Sequence, residues 1–427
     1  MRFLYSTLFY CLMPFILLRM QIRARRAPAY RQRLLERFGI FKGADQFQVN
    51  PAIWVHAVSV GETIAAVPVI EALLENYPQH RLIVTTTTPT GSERVQALFG
   101  DRVFHVYAPW DLPGAVQRFL RRIKPELLLL METELWPNML HYAKRADCQI
   151  VLANARLSAR SARGYGRVRR LSNAMMRQLD SVACQSREDG DRFLALGLRP
   201  EKLTITGSIK FDLELSPDLR KQAHQLRASW RAGERSIVVA ASTHPGEDEQ
   251  ILDAFKQVRR SIDDCVLVLV PRHPERFDAV YSLCVAQGWR VQRRSSGHSP
   301  GPGDDVIVGD TMGELLLLMS VATIAVIGGS LVEHGGHNVL EAAAWGVPVV
   351  TGPHMFNFGE ISALLTDAGA MIKLSQATDL GSCLSRLLAD SSRRQLMGDA
   401  GQRVVTNNRG ARARLLTQIA TRIKPGC

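Results

Sequence analysis

Residues 327–353, "IGGSLVEHGGHNVLEAAAWGVPVVTGP", carry the pattern that decides the fold. An apolar strand ends at Gly328-Gly329, two glycines that permit a close backbone approach or a positive φ. A second pair, Gly335-Gly336, leads through His337 and Asn338 into a helix, and "VPVV" then begins another strand. A strand, a glycine turn, a helix and a strand in this order predict a βαβ unit of a parallel sheet.

The same alternation of strands and helix-length segments extends along the chain on both sides of this stretch. Short β-branched or leucine-rich runs recur, and the alternation pauses near residue 212 in "KFDLELSPDL". We therefore predict an α/β protein with two doubly wound Rossmann-like domains, residues 23–212 and residues 213–427. Ligands of such sheets bind at the carboxyl ends of the strands, so we expect the chemistry there and in a cleft between the domains. The runs read as strands are "AIWVHAV", "RLIVTTTT", "VFHVYA", "ELLLLMET", "QIVLANA", "SVACQS", "LTITGS", "SIVVAAST", "CVLVLVPRHP", "RVQRR", "VIVGD", "TIAVIGG" and "VPVVTG".

The N-terminus predicts a membrane anchor. Phe3 to Leu18 contains no charged residue, and a dense arginine cluster follows it. The run is short of the roughly 20 residues of a comfortable span, although Met20 and Ile22 extend it. A cleaved signal peptide is the alternative, but its basic residues should precede the apolar core, where only Arg2 stands. We predict an uncleaved anchor over residues 1–22, with the rest of the chain in the cytoplasm.

The composition limits the kinds of partner that the protein is expected to bind. The net charge of +13 calls for an acidic partner, such as nucleic acid, anionic membrane lipid or a phosphorylated substrate. No nucleic-acid-binding module is recognisable, so nucleic acid is not expected. The seven cysteines stand singly, without a CxxC pair or a Cys/His cluster, so we expect neither a metal site nor a disulfide framework.

Candidate residues of the second half follow its strands. Arg272 comes after Pro271, where a guanidinium can reach a phosphate, and Met312-Gly313-Glu314 form a similar turn. Asn338 and Glu341 lie three residues apart and share a helix face, while the helix start is suited to a phosphate. The alternative is a glycine turn with a capped helix and no ligand.

Candidate residues of the first half are acids and one lysine at strand ends. Glu62 ends "WVHAVSVGE", Glu132 and Glu134 follow a very apolar strand, and Lys210 follows the last strand of this half. For Glu62 the alternative is a simple role in the first turn of a helix, where the helix dipole favours an acid. For Lys210 the alternative is a solvated linker lysine.

Taken together, these motifs closely resemble those of the 3-deoxy-D-manno-octulosonic acid (Kdo) transferases. The resemblance rests on the anchor and on "HAVSVGE", "METELWPN", "GSIKFD", "PRHPERF", "GDTMGEL" and "GGSLVEHGGHNVLEAA", and covers almost the whole chain. It implies the GT-B glycosyltransferase fold, with an acceptor domain, a donor domain and a last helix that returns to the first domain. It also implies transfer of Kdo from CMP-Kdo to the 6′-hydroxyl of the tetra-acylated lipid A precursor, at the cytoplasmic face of the inner membrane. We expect no cofactor.

The resemblance assigns roles residue by residue. Glu62 resembles the general base, and Glu132 and Lys210 resemble transition-state stabilisers. The segments that resemble the CMP-binding segments are Pro271-Arg272, Met312-Gly313-Glu314 and Asn338, Val339, Leu340 and Glu341.

Physical chemistry agrees with these roles. A hydroxyl that attacks an anomeric carbon needs a base, and a departing CMP needs positive groups. An anchored, basic protein also suits an anionic glycolipid acceptor and anionic inner-membrane lipids. The alternatives are another GT-B nucleotide-sugar enzyme, such as a lipid-linked N-acetylglucosaminyltransferase or an epimerase, and a non-enzymatic membrane scaffold.

Overall fold

The computed structural model describes residues 1–25, 27–43, 51–301 and 303–423. The chain forms two compact units, the first made of Met1–Asp212 with Arg409–Cys427 and the second of Leu213–Asn408. Within the described residues, each unit contains a seven-stranded sheet whose strand pairs are all parallel. The predicted fold class of two doubly wound α/β domains is confirmed.

The strands of the described residues are numbered β1 to β14 in chain order. The sheet of the first unit has the order β3-β2-β1-β4-β5-β6-β7, and that of the second has the order β10-β11-β9-β8-β12-β13-β14. The thirteen predicted strands coincide with β1 to β13, whereas the edge strand β14 was not predicted. Their bounds are β1 Ala52–His56, β2 Arg81–Thr86, β3 Phe104–Tyr107, β4 Pro125–Met131, β5 Gln149–Ala155, β6 Ser181–Cys184, β7 Leu203–Ile205, β8 Ser236–Thr243, β9 Cys265–Pro271, β10 Val291–Arg293, β11 Val306–Val308, β12 Ile324–Ile327, β13 Val349–Thr351 and β14 Met371–Lys373.

The α-helices are numbered in the same way, and short 3₁₀ helices connect several elements. Their bounds are α1 Arg2–Ala24, α2 Val60–Asn76, α3 Pro89–Phe99, α4 Pro113–Ile123, α5 Pro137–Arg145, α6 Ala159–Arg167, α7 Arg169–Gln178, α8 Arg187–Ala195, α9 Pro217–Ser229, α10 Asp248–Arg259, α11 Phe277–Ala286, α12 Leu315–Met319, α13 Leu340–Ala344, α14 Gly359–Asp367, α15 Leu380–Ala389, α16 Ser391–Asn407 and α17 Ala411–Ala420.

Burial on both faces of the sheet explains the continuous apolar runs in its central strands. In β1, Trp54 packs on one side with Phe119 of α4, while Ile53 packs on the other side with Ile70 of α2. All four side chains and their neighbours in β4 are fully buried. Because successive strand residues point to opposite faces, a strand covered by helices on both sides is apolar at every position.

The last helix of the chain belongs to the first unit. Leu415 and Ile419 of α17 are buried in the core that also contains Ile53. The Asp212 carboxylate accepts hydrogen bonds from the backbone N–H groups of Gly410 and Arg412, so it caps α17 at the point where the chain enters the first unit again. These bonds satisfy donors that the first turn of a helix leaves unpaired.

Helix α1 is the one helix of the described residues that is long and apolar enough to cross a membrane. One of its faces packs on the first unit, where Met13 lies against Leu112 and Ala115. The opposite face is apolar and exposed, with Phe3 84% and Phe15 68% accessible. The helix extends two residues beyond the predicted anchor of residues 1–22.

Candidate functional site

Glu62 lies in the first turn of α2, where it closes a capping arrangement. Ser59 Oγ accepts a hydrogen bond from the backbone N–H of Glu62 at 3.3 Å and donates one to Glu62 Oε1 at 3.0 Å. The backbone N–H of Val58 donates to Glu62 Oε2 at 2.8 Å. This is a variant of the capping box, so the helix-terminal role of Glu62 exists in the structure.

The surroundings of the Glu62 carboxylate make it a stronger base than an ordinary glutamate. Burial, together with the negative charges of Glu134 and Glu132, raises the pKa of Glu62 to about 7 against the lowering effect of the Val58 and Ser59 hydrogen bonds. Helix capping alone would lower this pKa, because hydrogen bonds to a carboxylate favour its charged form. A carboxylate with a pKa near 7 is suited to general base catalysis at neutral pH.

The two acids after β4 are held in fixed positions beside Glu62. Glu132 has a φ of +55°, a left-handed conformation that is uncommon for a residue with a side chain, and its carboxylate pairs with Arg156 Nε at 2.9 Å. Glu134 Oε2 accepts from Trp136 Nε1 at 2.8 Å, and burial raises the pKa of Glu134. Residues outside the site, such as Lys124 and Asp147, adopt the same conformation, so the role of Glu132 stays a prediction.

The segment that contains Lys210 is tied to β5 by an asparagine that the sequence did not single out. It lies in the 3₁₀ helix Ile209–Phe211, several residues beyond the edge strand β7. Asn154, near the end of β5, has a φ of +51° and accepts the backbone N–H of Ile209 at 3.1 Å. Because β5 lies next to β4 in the sheet, this bond draws the Lys210 segment back toward the strand that carries Glu132.

In the second unit, the ends of β8, β9 and β12 make close backbone contacts with one another. A Cβ atom at Gly328 would lie 2.4 Å from the Ser242 carbonyl oxygen, so only glycine fits, and Gly329 has a φ of +67°. The Arg272 backbone N–H donates to the Thr243 carbonyl at 3.0 Å, which ties the end of β9 to the end of β8. The Gly328-Gly329 pair thus has both properties expected from the sequence.

Asn338 and Glu341 share a face, as predicted. Asn338 Nδ2 donates to Glu341 Oε1 at 3.0 Å, and Arg272 is near enough for its charge to lower the pKa of Glu341, which burial raises. Val339 and Leu340 between them are fully buried, so their side chains pack inside the second unit. Helix α13 begins only at Leu340 and has five residues, so the pair precedes and opens a short helix.

The turn after β11 lies on the side of β9 that is opposite to β8. Met312 is largely exposed, Gly313 has a φ of +83°, and Glu314 accepts hydrogen bonds from Arg294 at 2.9 and 3.2 Å. Since β11 and β8 flank β9, this turn and the Asn338 segment lie at the same carboxyl edge on either side of Arg272.

A buried glutamate organises the second unit's strand-end loops, and sequence reasoning missed it. Glu247 is fully buried and accepts four backbone N–H groups: those of His244 (2.9 Å) and Gly329 (2.7 Å) at Oε2, and those of Ser330 (3.1 Å) and Leu331 (2.9 Å) at Oε1. The carboxylate therefore joins the loop after β8 to the loop after β12. In the sequence it stands in the polar run "HPGEDEQ", where nothing distinguishes it from a surface acid.

Each unit thus presents chemistry at the carboxyl edge of its sheet. The first unit offers a carboxylate base with two neighbouring acids, and the second offers an arginine, a hydrogen-bonding Asn–Glu pair and tight glycine turns. These groups are suited to deprotonating a hydroxyl and to holding a nucleotide with its phosphate, respectively.

Comparison with known proteins gives matches over both units. Residues 32–213 match the family model of 3-deoxy-D-manno-octulosonic-acid transferase (kdotransferase), and residues 247–404 match that of glycosyl transferases group 1. The 3-deoxy-D-manno-octulosonic acid transferase of Haemophilus influenzae is 44% identical over 416 residues, which cover 97% of each chain. The one of Bordetella pertussis is 37% identical over 416 residues, which cover 95% of each chain.

A solved structure extends the likeness to the fold. The crystal structure of a glycosyltransferase from Rickettsia africae covers 88% of this chain and 100% of its own, with a TM-score of 0.54 and 12% identity. At this identity the likeness concerns the fold alone. It agrees with the GT-B class expected from the sequence.

Proposed function

The chain belongs to the 3-deoxy-D-manno-octulosonic acid (Kdo) transferase family, and we propose that it transfers Kdo from CMP-Kdo to the 6′-hydroxyl of the tetra-acylated lipid A precursor. It is a glycosyltransferase. The observation that carries the proposal is the Glu62 carboxylate, whose pKa is raised to about 7 beside two further acids. We assign acceptor binding to residues 23–212 and donor binding to the unit that begins at Leu213.

In the proposed reaction Glu62 removes the proton of the acceptor hydroxyl. The hydroxyl oxygen forms a bond to the anomeric carbon of Kdo while the bond from that carbon to the CMP phosphate oxygen breaks. The electron pair of the broken bond leaves with CMP, and the proton stays on Glu62 until solvent takes it. Attack from the face opposite the leaving group inverts the anomeric centre.

The remaining site residues bind and stabilise charge in this proposal. Arg272 holds the CMP phosphate, and Glu341, oriented by Asn338, accepts hydrogen bonds from the ribose hydroxyls. Lys210 and Glu132 stabilise the transition state. Pro271, Val339 and Leu340 are buried, so they take part through backbone and packing, and the turn Met312-Gly313-Glu314 recognises the base edge.

We propose further that α1 anchors the protein to the inner membrane with both units in the cytoplasm. The exposed apolar face of α1 supports this, because Phe3 and Phe15 would otherwise be left in water. The arginines that follow the helix favour the cytoplasmic side and anionic headgroups.

Mass spectrometry of the acceptor tests the proposal. Lipid A precursor is incubated with the protein and a CMP-Kdo-generating system, and its mass should increase by one or more Kdo units. An acceptor with a blocked 6′-hydroxyl should remain unchanged. A product from UDP-N-acetylglucosamine in place of CMP-Kdo, or Kdo on the blocked acceptor, would contradict the donor or the position, respectively.

A further inference from the structure

Three histidines of the second unit come together, although 93 positions separate His244 from His337. His244 follows β8, and His334 and His337 lie in the loop between β12 and α13. His244 Nε2 and His337 Nε2 are 2.7 Å apart, and one ring nitrogen from each of the three residues lies within 4.8 Å of the others. The His244 ring is parallel to that of His337 within 9° and stacks on that of His334 at 3.7 Å between centroids.

The two loops that carry these histidines are held by the buried Glu247 carboxylate. It accepts the backbone N–H of His244 itself and those of Gly329, Ser330 and Leu331, which precede His334. The imidazoles are therefore placed by a rigid backbone frame. A site held in this way needs little ordering of the loops when a ligand binds, which favours affinity.

Three imidazole groups in this arrangement are suited to binding a transition-metal ion. Imidazole nitrogen is a preferred ligand of Zn²⁺, Cu²⁺ and Ni²⁺, and three histidines with an open fourth position form a known kind of zinc site. Two nitrogens bound to one zinc ion lie about 3.3 Å apart, given Zn–N bonds of about 2.0–2.1 Å and tetrahedral angles. The His244–His337 pair needs to open by only about half an ångström to reach that spacing. His334 is exposed to solvent, and its ring must turn from its stacked position on His244 for a nitrogen to face the ion.

The surrounding charges affect how tightly these histidines can bind a metal ion. Arg272 and Arg276 face His244 from the β9 segment, together with His273, and they disfavour a cation. The Asp248 carboxylate pairs with Arg276 and offsets part of that positive charge. We therefore expect weaker binding than at a structural zinc site, with water or an anion attracted by Arg272 as the fourth ligand.

We propose that His244, His334 and His337 form a binding site for a divalent first-row transition-metal ion of imidazole preference, with Zn²⁺ as the reference ion. This site lies beside Arg272 of the proposed donor site, but its test does not depend on the transfer activity.

Calorimetric titration with Zn²⁺ tests the proposal on the full chain in detergent, prepared without a histidine tag and stripped with a chelator. One Zn²⁺ should bind per chain, and Co²⁺ should bind with the visible absorption of a four-coordinate site. Loss of an outer-shell partner usually weakens metal binding about 10–100-fold, so His244→Ala, His334→Ala and His337→Ala should each weaken it at least tenfold. The exposed His298→Ala, in the same unit, is the matched control and should bind normally.

Thermal unfolding of each variant separates loss of a ligand from loss of the fold, and the exposed His334 is the substitution least able to disturb the core. The site is supported when all three substitutions weaken binding in folded protein while His298→Ala does not. It is overturned if the unsubstituted protein binds no stoichiometric Zn²⁺, or if folded His334→Ala or His337→Ala keeps the original affinity.

Discussion

The backbone N–H of Val58 donates a 2.8 Å hydrogen bond to Glu62 Oε2, so the carboxylate proposed as the base also closes the N-terminus of α2. The two roles place opposite demands on its pKa. Capping hydrogen bonds favour the charged form, whereas burial and the neighbouring acids favour the neutral form and prevail, raising the pKa of Glu62 to about 7. The roles are therefore separable by substitutions that keep the capping bonds and remove basicity.

Glu62→Gln should abolish most turnover and leave the fold intact. The amide oxygen still accepts the Val58 N–H, but the side chain no longer takes a proton, so turnover should fall about 10²–10⁴-fold. Kdo transfer and melting temperature are measured on one preparation, with the exposed Glu75→Gln of the same helix as control. Near-normal turnover together with a lower melting temperature would leave Glu62 as a capping residue only.

The raised pKa of Glu62 also predicts how activity and stability depend on pH. A base with a pKa of about 7 gives a transfer rate that rises with pH and levels off above about 7. Because the pKa in the folded protein exceeds the ordinary value of 4.5, the stability that Glu62 contributes is present below about pH 4.5 and is lost as pH rises through about 7.

Melting temperatures measured between about pH 5 and pH 8 check the sign. The unsubstituted protein should lose stability relative to Glu62→Gln as pH rises, because only the former must hold a charged carboxylate in that site. A difference that stays constant, or that moves in the other direction, would show that Glu62 has no raised pKa.

The strand pattern was readable from the sequence because parallel sheets bury both faces of their central strands. "ELLLLMET" marks β4 together with the acids that follow it, and the glycine pairs mark the tight turn after β12. Residues that act through distant partners carry no such signal. The His244–His337 contact spans 93 positions, and Glu247 acts on a loop more than 80 residues away. Similarly, the one-sided packing of α1 cannot be read from a run that is apolar all round.

Glu341→Ala should weaken CMP binding. If Glu341 accepts hydrogen bonds from the ribose, the loss is about 1.5–3 kcal/mol, which corresponds to roughly 10–150-fold in the dissociation constant. Asn338→Ala should have a smaller effect in the same direction, because it removes the group that orients Glu341 at 3.0 Å. Calorimetry with CMP measures both, with the exposed Glu333→Ala as control. Unchanged CMP affinity in a folded Glu341→Ala protein would show that the ribose does not bind at Glu341.

Removal of residues 1–24 should separate membrane attachment from catalysis. Both sheets lie downstream, so the truncated protein should fold and transfer Kdo to detergent-dispersed acceptor. It should melt at a lower temperature, because Leu112 and Ala115 lose their cover by Met13.

The matched variant replaces the exposed residues Phe3 and Phe15 by serine and leaves the docked face of α1 intact. It should reduce recovery in the membrane fraction without lowering the melting temperature, since these side chains do not pack on the first unit. Full membrane retention of the truncated protein would assign attachment to the basic surface alone.

Glu247 should be among the least replaceable residues of the second unit, although it is not proposed to touch a substrate. Glu247→Ala leaves four buried backbone N–H groups without an acceptor, so we expect a loss of at least about 4 kcal/mol in the free energy of unfolding. Glu247→Gln should be nearly as harmful, because each carboxylate oxygen accepts two N–H groups and an amide offers one oxygen only. The exposed neighbour Glu249→Ala should cost less than about 0.5 kcal/mol. Denaturant unfolding of the three variants measures these differences, and a Glu247→Gln protein as stable as Glu249→Ala would show that the loops after β8 and β12 hold their positions without the carboxylate.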